Sequence, residues 1–301
     1  LISISTETTQ PNFSWASIPV WTIQRIPLRA LRRIGRWGGL ATYHLSGSRR
    51  RVALENLDLA YGDSLTPEEK IQIAKESFVN LVTTGLEFCY SPAIKRPIDE
   101  LVHVENPEVF FEAHKKGKGI IVLVPHMGNW EVCGRWYGEK GIIQHAVVRQ
   151  QKQAWVNRMV SKIRKTNGII EIDKRNAIRK VLAALHKGEM VSMLIDQHAQ
   201  KESVSVEFFG QPAMTHASVA RLALRTGCEV IVCSGFRYPD GSFGGVFSDP
   251  IETVSTGDRE RDILENTQRY VSVIEEYVRK NPQDWMWMHR RWKAPKGPIT
   301  E

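Results

Sequence analysis

The sequence predicts an α/β protein: a mixed, mostly parallel sheet flanked by helices, preceded by an amphipathic helical region at the amino end. Three observations carry this expectation. Short apolar runs alternate with segments of helical period from Gly117 to Phe236, as in sheets covered by helices on both faces. Gly119 to Pro125 (GIIVLVP) is apolar throughout, as expected of a strand buried on both sides. Trp15 to Leu45 interleaves Ile, Leu and Trp with five arginines, the composition of a helix lying in a membrane interface.

Taken in order, residues 1–13 are polar and read as a loose end. Pro19 and Pro27 are expected to divide the next segment into short helical pieces. Thr66-Pro67-Glu68-Glu69 places a cap, a proline at the first helical position and a glutamate at the third, so a capped helix starts there and should cover the sheet. After the Gly119–Pro125 strand and a His126-Met127-Gly128 loop, Asn129 to Tyr137 is expected to be helical, with Glu131 in its first turn. Strands follow at His145–Arg149, Ile169–Ile172, Met190–Ile195 and Glu229–Phe236. Helices follow at Gln153–Thr166 (Trp155, Val156, Met159, Val160 and Ile163 inward), Ala177–His186 and the later part of Pro212–Thr226. Val206–Gly210 (VEFFG) reads as a loop, and Tyr238–Gly245 as a hairpin or wide turn. A last helix, Asp262–Lys280, ends at Pro282. Three parts are expected: a membrane-associating helical region at 1–55, a main α/β domain at 56–293 and a tail at 294–301.

The net charge of +8 over 301 residues favours anionic partners. Eight arginines and no Asp or Glu lie between Gln10 and Leu54, which points to an anionic membrane surface. No run approaches the length of a spanning helix. The four cysteines make no CxxC pair, so neither a disulfide framework nor a thiolate metal site is expected. Asp196-Gln197-His198 is too contiguous on an extended chain to converge on a metal. Nor is there a dinucleotide loop, a Walker A sequence or a GxSxG elbow. The carboxyl-terminal WMWMHRRW suits a buried cap or a membrane-facing edge; no nucleic-acid-binding signature accompanies it.

His126 and Glu131, in HMGNWE, are the candidate chemical pair. A neutral imidazole can take the proton of a hydroxyl as it attacks a thioester carbonyl, and a carboxylate on its other nitrogen fixes the tautomer. The motif holds no serine or cysteine, so direct transfer without a covalent acyl-enzyme is expected; Cys133 lies beyond the acid.

The segment VPHMGNWE resembles the histidine–four residues–acid motif of glycerolipid and glycolipid acyltransferases. It is most similar to the branch that adds late acyl chains to the lipid A precursor. Further matching segments are Asn56 within RRVALENLDLAYG, Arg149 in VVRQQ, Arg164 with Gly168, LIDQ at 194–197, VEFFG at 206–210, the A-x-T at 213–215, and Pro282, Gln283, Trp285, Trp287, His289, Arg291 and Trp292. The resemblance covers roughly residues 40–293. It implies an acyltransferase sandwich in which His126 is the base and Glu131 its orienting acid. It implies substrate-binding roles for Arg149 and Arg164 as phosphate clamps, for Asn129 or the Gly128–Asn129 backbone beside the developing oxyanion, and for Asp196 and Gln197. No metal and no cofactor are implied. The donor is acyl-carrier protein or acyl-CoA, and the acceptor an anionic membrane lipid or glycolipid. Location follows at the cytoplasmic face of a bacterial inner membrane. Members of this branch usually begin with a membrane-inserting helix, whereas the corresponding region here is short, interrupted and basic. Lysophospholipid, aminolipid and mannosylated inositol lipid acceptors share the motif, and a peripheral membrane-binding protein without catalysis is the reading from another class.

Overall fold

The computed structural model describes residues 18–293; the loose amino end, Trp15 and the tail at 294–301 lie outside them. The chain begins with helices α1 (Ile18–Ile23), α2 (Leu28–Leu45), α3 (Gly47–Tyr61) and α4 (Pro67–Tyr90). Strand β1 (Val102–Val104), α5 (Pro107–Lys115), β2 (Ile120–Leu123), α6 (Trp130–Glu139), β3 (Gln144–Val148), α7 (Ala154–Thr166), β4 (Ile169–Asp173), α8 (Ala177–His186) and β5 (Met190–Met193) follow. The chain continues through β6 (Ser203–Phe208), β7 (Gln211–His216), α9 (Ser218–Thr226), β8 (Glu229–Arg237), β9 (Phe243–Phe247) and α10 (Arg259–Lys280).

Seven strands form one sheet in the order β1-β9-β8-β2-β5-β3-β4. β8, β2, β5, β3 and β4 run parallel. The β8–β9 pair is antiparallel, as the Tyr238–Gly245 turn signals implied, and β1 runs parallel to β9. The sheet is therefore mixed and mostly parallel, as expected. β2 lies at its centre and is buried along its whole length. Its side chains alternate: Ile121 and Leu123 join the core with α8, α9 and α10, whereas Ile120 and Val122 join the core with α5 and α6.

Pro27 divides the amino-terminal helices as expected, but α2 beyond it is one uninterrupted helix, and the division drawn at residue 55 falls inside α3. The α4 capping box is complete: Thr66 Oγ1 accepts from the Glu69 amide and Glu69 accepts from the Thr66 amide. Helix α4 packs chiefly along α2 and on the 282–284 turn, and reaches the sheet through Asn80 and Glu87 at Arg237 of β8. Glycines make that contact close. A Cβ on Gly39 would lie 2.4 Å from the Val79 Cα and one on Gly35 2.9 Å from the Thr83 Cα, so backbone meets backbone where α2 crosses α4. That leaves Ile34, Trp37 and Leu45 facing outward.

Two further expectations are corrected. Val206–Gly210 is not a loop: Val206–Phe208 belong to β6, which pairs antiparallel with β7 in a separate hairpin. In α7 only Ile163 is buried, and Trp155 is 47% exposed, because this helix covers the sheet's edge at β4 and has one narrow contact face. The carboxyl-terminal Trp285 and Trp287 are buried, so the aromatic segment is a cap on the core. Gly39→Ala should lower stability by about 1–3 kcal/mol, the usual cost of overpacking, and should raise hydrogen exchange selectively in residues 28–45; urea unfolding and exchange mass spectrometry measure both.

Candidate active site

β2 and β5 are adjacent and parallel, with Leu123 opposite Met193. Three residues beyond each of these lie His126 and Asp196. Equal overhangs on neighbouring strands bring the two side chains together at the carboxyl edge of the sheet, where open α/β folds place their ligands. His126 Nδ1 lies 2.8 Å from Asp196 Oδ1, and the His126 backbone N–H donates to Asp196 Oδ2 at 2.8 Å. The Trp285 indole N–H donates to the same Oδ2 at 3.0 Å.

The Asp196 side chain is only 1% exposed against 18% for that of His126. Burial alone would raise the Asp196 pKa, but the His126 charge and the hydrogen bonds from His126 and Trp285 outweigh it and hold the carboxyl down to about 2. An ionised carboxylate on Nδ1 keeps the imidazole proton there, leaving the Nε2 lone pair to face the Gln197 amide, 3.2 Å away. The Trp130 ring packs edge-on to the imidazole, with centroids 5.2 Å apart. An imidazole held in this way can accept a proton at Nε2 while the carboxylate stabilises the resulting cation.

Glu131, expected to orient His126, points elsewhere. Arg164 grips it through Nη2 at 2.5 Å and Nε at 3.1 Å, and the same guanidinium reaches Glu171 at 2.9 Å. Burial acts against the Arg164 cation, but these two carboxylates outweigh it and raise its pKa. Arg164 thus fastens α6 to α7 and β4. The physical reason is direction: Glu131 lies on the first turn of α6, facing α7, while His126 turns toward β5.

Asn129 is likewise occupied. It is fully buried, its Oδ1 caps α6 by accepting from the Val132 amide at 3.0 Å, and its Nδ2 donates to Glu87 at 2.9 Å. Glu87 also receives Arg32 and Arg237. The Gly128 N–H donates to the Asp284 carbonyl, so it too has a partner. Gly128 adopts a φ of +53°, and a Cβ there would lie 2.6 Å from the Gly235 carbonyl carbon, so only glycine lets this loop run against β8. Arg149, at the carboxyl end of β3, is exposed and has no ion pair among the described residues. Asp196 and Gln197, read as substrate-binding, are brought onto the imidazole itself. Burial pushes the Cys133 thiol well up, which makes it a poor nucleophile.

Sheet, crossover helices and edge site together define an α/β acyltransferase sandwich. The chain belongs to the bacterial lipid A biosynthesis acyltransferase family, whose model matches residues 3–294. A lipid A biosynthesis lauroyltransferase of Escherichia coli (strain K12) is 25% identical over 99% of this chain and 97% of its own length. A lipid A biosynthesis palmitoleoyltransferase of the same organism is 25% identical over 96% of this chain and 92% of its own. A phosphatidylinositol mannoside acyltransferase of Mycobacterium tuberculosis (strain CDC 1551 / Oshkosh) is 22% identical over 59% of this chain and 56% of its own. The protein is accordingly an acyltransferase acting on lipid or glycolipid acceptors.

Asp284, behind the Gly128 loop, gives a test of site electrostatics. Burial raises its pKa to about 6, against the opposing Arg237 N–H and charge. The folded-state value lies above the unfolded one near 3.9, so its contribution to stability is present at low pH and is lost as pH rises from about 4 through about 6. Asp284→Asn stays neutral and should gain on wild type across that window, by on the order of 2 kcal/mol at pH 7.5; denaturant titrations at pH 4 and 7.5 measure the difference.

Proposed function

We propose that the protein transfers a fatty-acyl chain from an acyl thioester to a hydroxyl of a lipid A precursor-type glycolipid, with His126 as general base. The observation that carries this reading is the imidazole fixed at Nδ1 by buried Asp196, with Nε2 facing the Gln197 amide at 3.2 Å. When the acceptor takes the place of that amide contact, Nε2 removes the hydroxyl proton as the oxygen attacks the thioester carbonyl. Collapse of the tetrahedral intermediate breaks the carbon–sulfur bond, and the imidazolium returns its proton to the departing thiolate. Asp196 holds the tautomer and stabilises the imidazolium. The amino end of α6, capped by Asn129, supplies positive potential beside the oxyanion. Glu131 and Arg164 hold that helix end in place.

A glycolipid of the lipid A type is favoured because the lauroyltransferase match spans nearly the whole of both chains, while the phosphatidylinositol mannoside acyltransferase match covers 59% of this one. Arg149, exposed and without an ion pair among the described residues, suits a phosphate of the acceptor. The donor reading rests on α7. Trp155, Arg158, Lys162 and Lys165 are all exposed and recur at helical spacing on one face, and the helix contains no acid. An acidic carrier protein would be drawn to such a face more strongly than acyl-CoA. Purified protein should acylate the lipid A precursor from both donors, with carrier-bound chains preferred. His126→Gln should cut kcat by about 10²–10⁴ with the fold retained. Arg158, Lys162 and Lys165 changed to glutamate should selectively weaken the carrier-protein reaction. Acylation of lysophospholipid or mannosylated inositol lipid alone would reassign the acceptor, and a folded His126→Gln protein with wild-type turnover would remove the base.

The same reading places the protein at the cytoplasmic face of the inner membrane through α1–α3. Among the described residues no helix is long and apolar enough to cross a membrane. Trp37 and Leu45 are 73% and 85% exposed, and Arg29 and Arg33 lie exposed beside Ile34. Apolar side chains among arginines suit a surface of anionic headgroups. Sedimentation with anionic vesicles should weaken at high salt and on Trp37→Ala with Arg29→Glu and Arg33→Glu; equal binding to neutral and anionic vesicles would contradict it.

A further inference from the structure

Three consecutive residues carry the acid side of the site, Asp196, Gln197 and His198, and one segment touches all three. The Trp285 indole donates to the Asp196 carboxylate at 3.0 Å. Arg291 Nη1 donates to the Gln197 carbonyl at 3.4 Å. His289 Nε2 accepts the His198 backbone N–H at 3.1 Å. The segment is itself pinned from behind. Asn56 of α3 donates to the carbonyls of Trp287 and His289 at 2.7 and 2.6 Å, and Ser77 of α4 donates to that of Trp285.

Packing does not explain these contacts. A cap on an apolar core needs only apolar side chains, yet Arg291 is fully buried and has no ion pair among the described residues. Its guanidinium donates to the Met214 carbonyl at 2.8 Å and to Thr215 Oγ1 at 2.6 Å, and its Nε has no partner among the described residues. Burying a guanidinium on such terms is costly. Here it ties the β6–β7 hairpin to the Gln197 carbonyl and sets a cation close to Asp196.

We propose that Trp285–Arg291 is a positioning clamp for the dyad, in which the Trp285 indole fixes the Asp196 carboxylate and through it the orientation and basicity of His126. This rests on the base assignment made above and extends it to residues that do not touch substrate. The charged and titratable groups around the imidazole are Asp196 and His198 from the β5 loop and His289 and Arg291 from the clamp. The Glu131–Arg164 pair lies on the α6–α7 side, and Glu87 with Arg32 and Arg237 behind Asn129. Of these only Asp196 bonds the ring, so a change in its hydrogen bonding reaches His126 directly. Without the indole N–H the carboxylate is freer to turn, and its charge is less dispersed. The imidazolium then gains, and the neutral base is depleted up to a higher pH.

Trp285→Phe removes the indole donor and keeps an aromatic ring. Trp292→Phe is the matched control, because its indole donates to the Phe208 carbonyl instead. In acyl transfer across pH, Trp285→Phe should lower kcat about tenfold to a hundredfold. KM should change by less than about twofold, and the acid limb of the kcat/KM profile should move to higher pH, while Trp292→Phe stays near wild type. An equal loss in Trp292→Phe, or an unmoved limb and kcat in Trp285→Phe, would overturn the clamp. The second readout needs no turnover: a histidine N–H donated to a buried carboxylate gives a slowly exchanging downfield proton resonance. It should persist in Trp292→Phe and broaden in Trp285→Phe; persistence unchanged in both would overturn the clamp even in a protein that proved inactive, an inactivity that would bear only on the function proposed above. Should Trp285→Phe not fold, His289→Ala removes the acceptor of the His198 amide and should broaden the same resonance; an unchanged resonance there also overturns the proposal.

Discussion

The hydrogen bond between His126 and Asp196 depends on a register. β2 and β5 are hydrogen-bonded neighbours with Leu123 opposite Met193, and each chain emerges three residues further with its polar side chain. A one-residue slip in either strand would turn every alternate side chain to the other face and carry the imidazole away from the carboxylate. The register is protected because both strands are buried on both faces and their side chains alternate between two separate cores. Site geometry here is a by-product of core packing.

Around this dyad the molecule spends its buried polar groups on position. Glu87, beneath Asn129, takes Arg32 from α2 and Arg237 from β8. Removing either arginine would leave part of a buried charge uncompensated. This cluster fastens the amino-terminal helices to the strand beside the site. Asn80 and Thr84 hold the Gly128 carbonyl from α4, so the loop carrying His126 is braced from the layer whose outer face bears Trp37 and Leu45. The surface proposed to meet the membrane and the loop carrying the proposed base rest on one closely packed helix pair.

Much of this was legible in the sequence. The GIIVLVP run marked the central strand, the alternation marked the sheet, and Thr66 with Glu69 marked a helix start to the residue. His126 is singled out by its place directly after that strand together with the resemblance of VPHMGNWE to the acyltransferase motif. What stayed hidden needed strand order. The pairing of β2 with β5 joins residues 70 apart, and nothing in local pattern says that the strand before Asp196 lies beside the strand before His126. The equal distance from each apolar run to its polar residue was a usable signal once adjacency was known. Glu131, attractive because it lies five residues from the histidine, is held by Arg164 instead. Helix geometry fixes which way it faces, and α7 supplied a competing arginine. Trp155 was placed inward by periodicity, but an edge helix has little core to face. The carboxyl-terminal aromatics suit a buried cap or a membrane-facing edge equally well on pattern alone; burial of Trp285 and of the Arg291 guanidinium decides for the cap.

The central claim is that Asp196, rather than Glu131, acts with His126 as a unit. A double-mutant cycle in kcat for acyl transfer tests it most directly, with His126→Gln combined in turn with Asp196→Asn and with Glu131→Gln. A coupled dyad makes Asp196→Asn severe alone and nearly silent once His126 is gone, since there is no imidazole left to orient. Independent, multiplying losses for His126 and Asp196, with the coupling found at Glu131 instead, would contradict it.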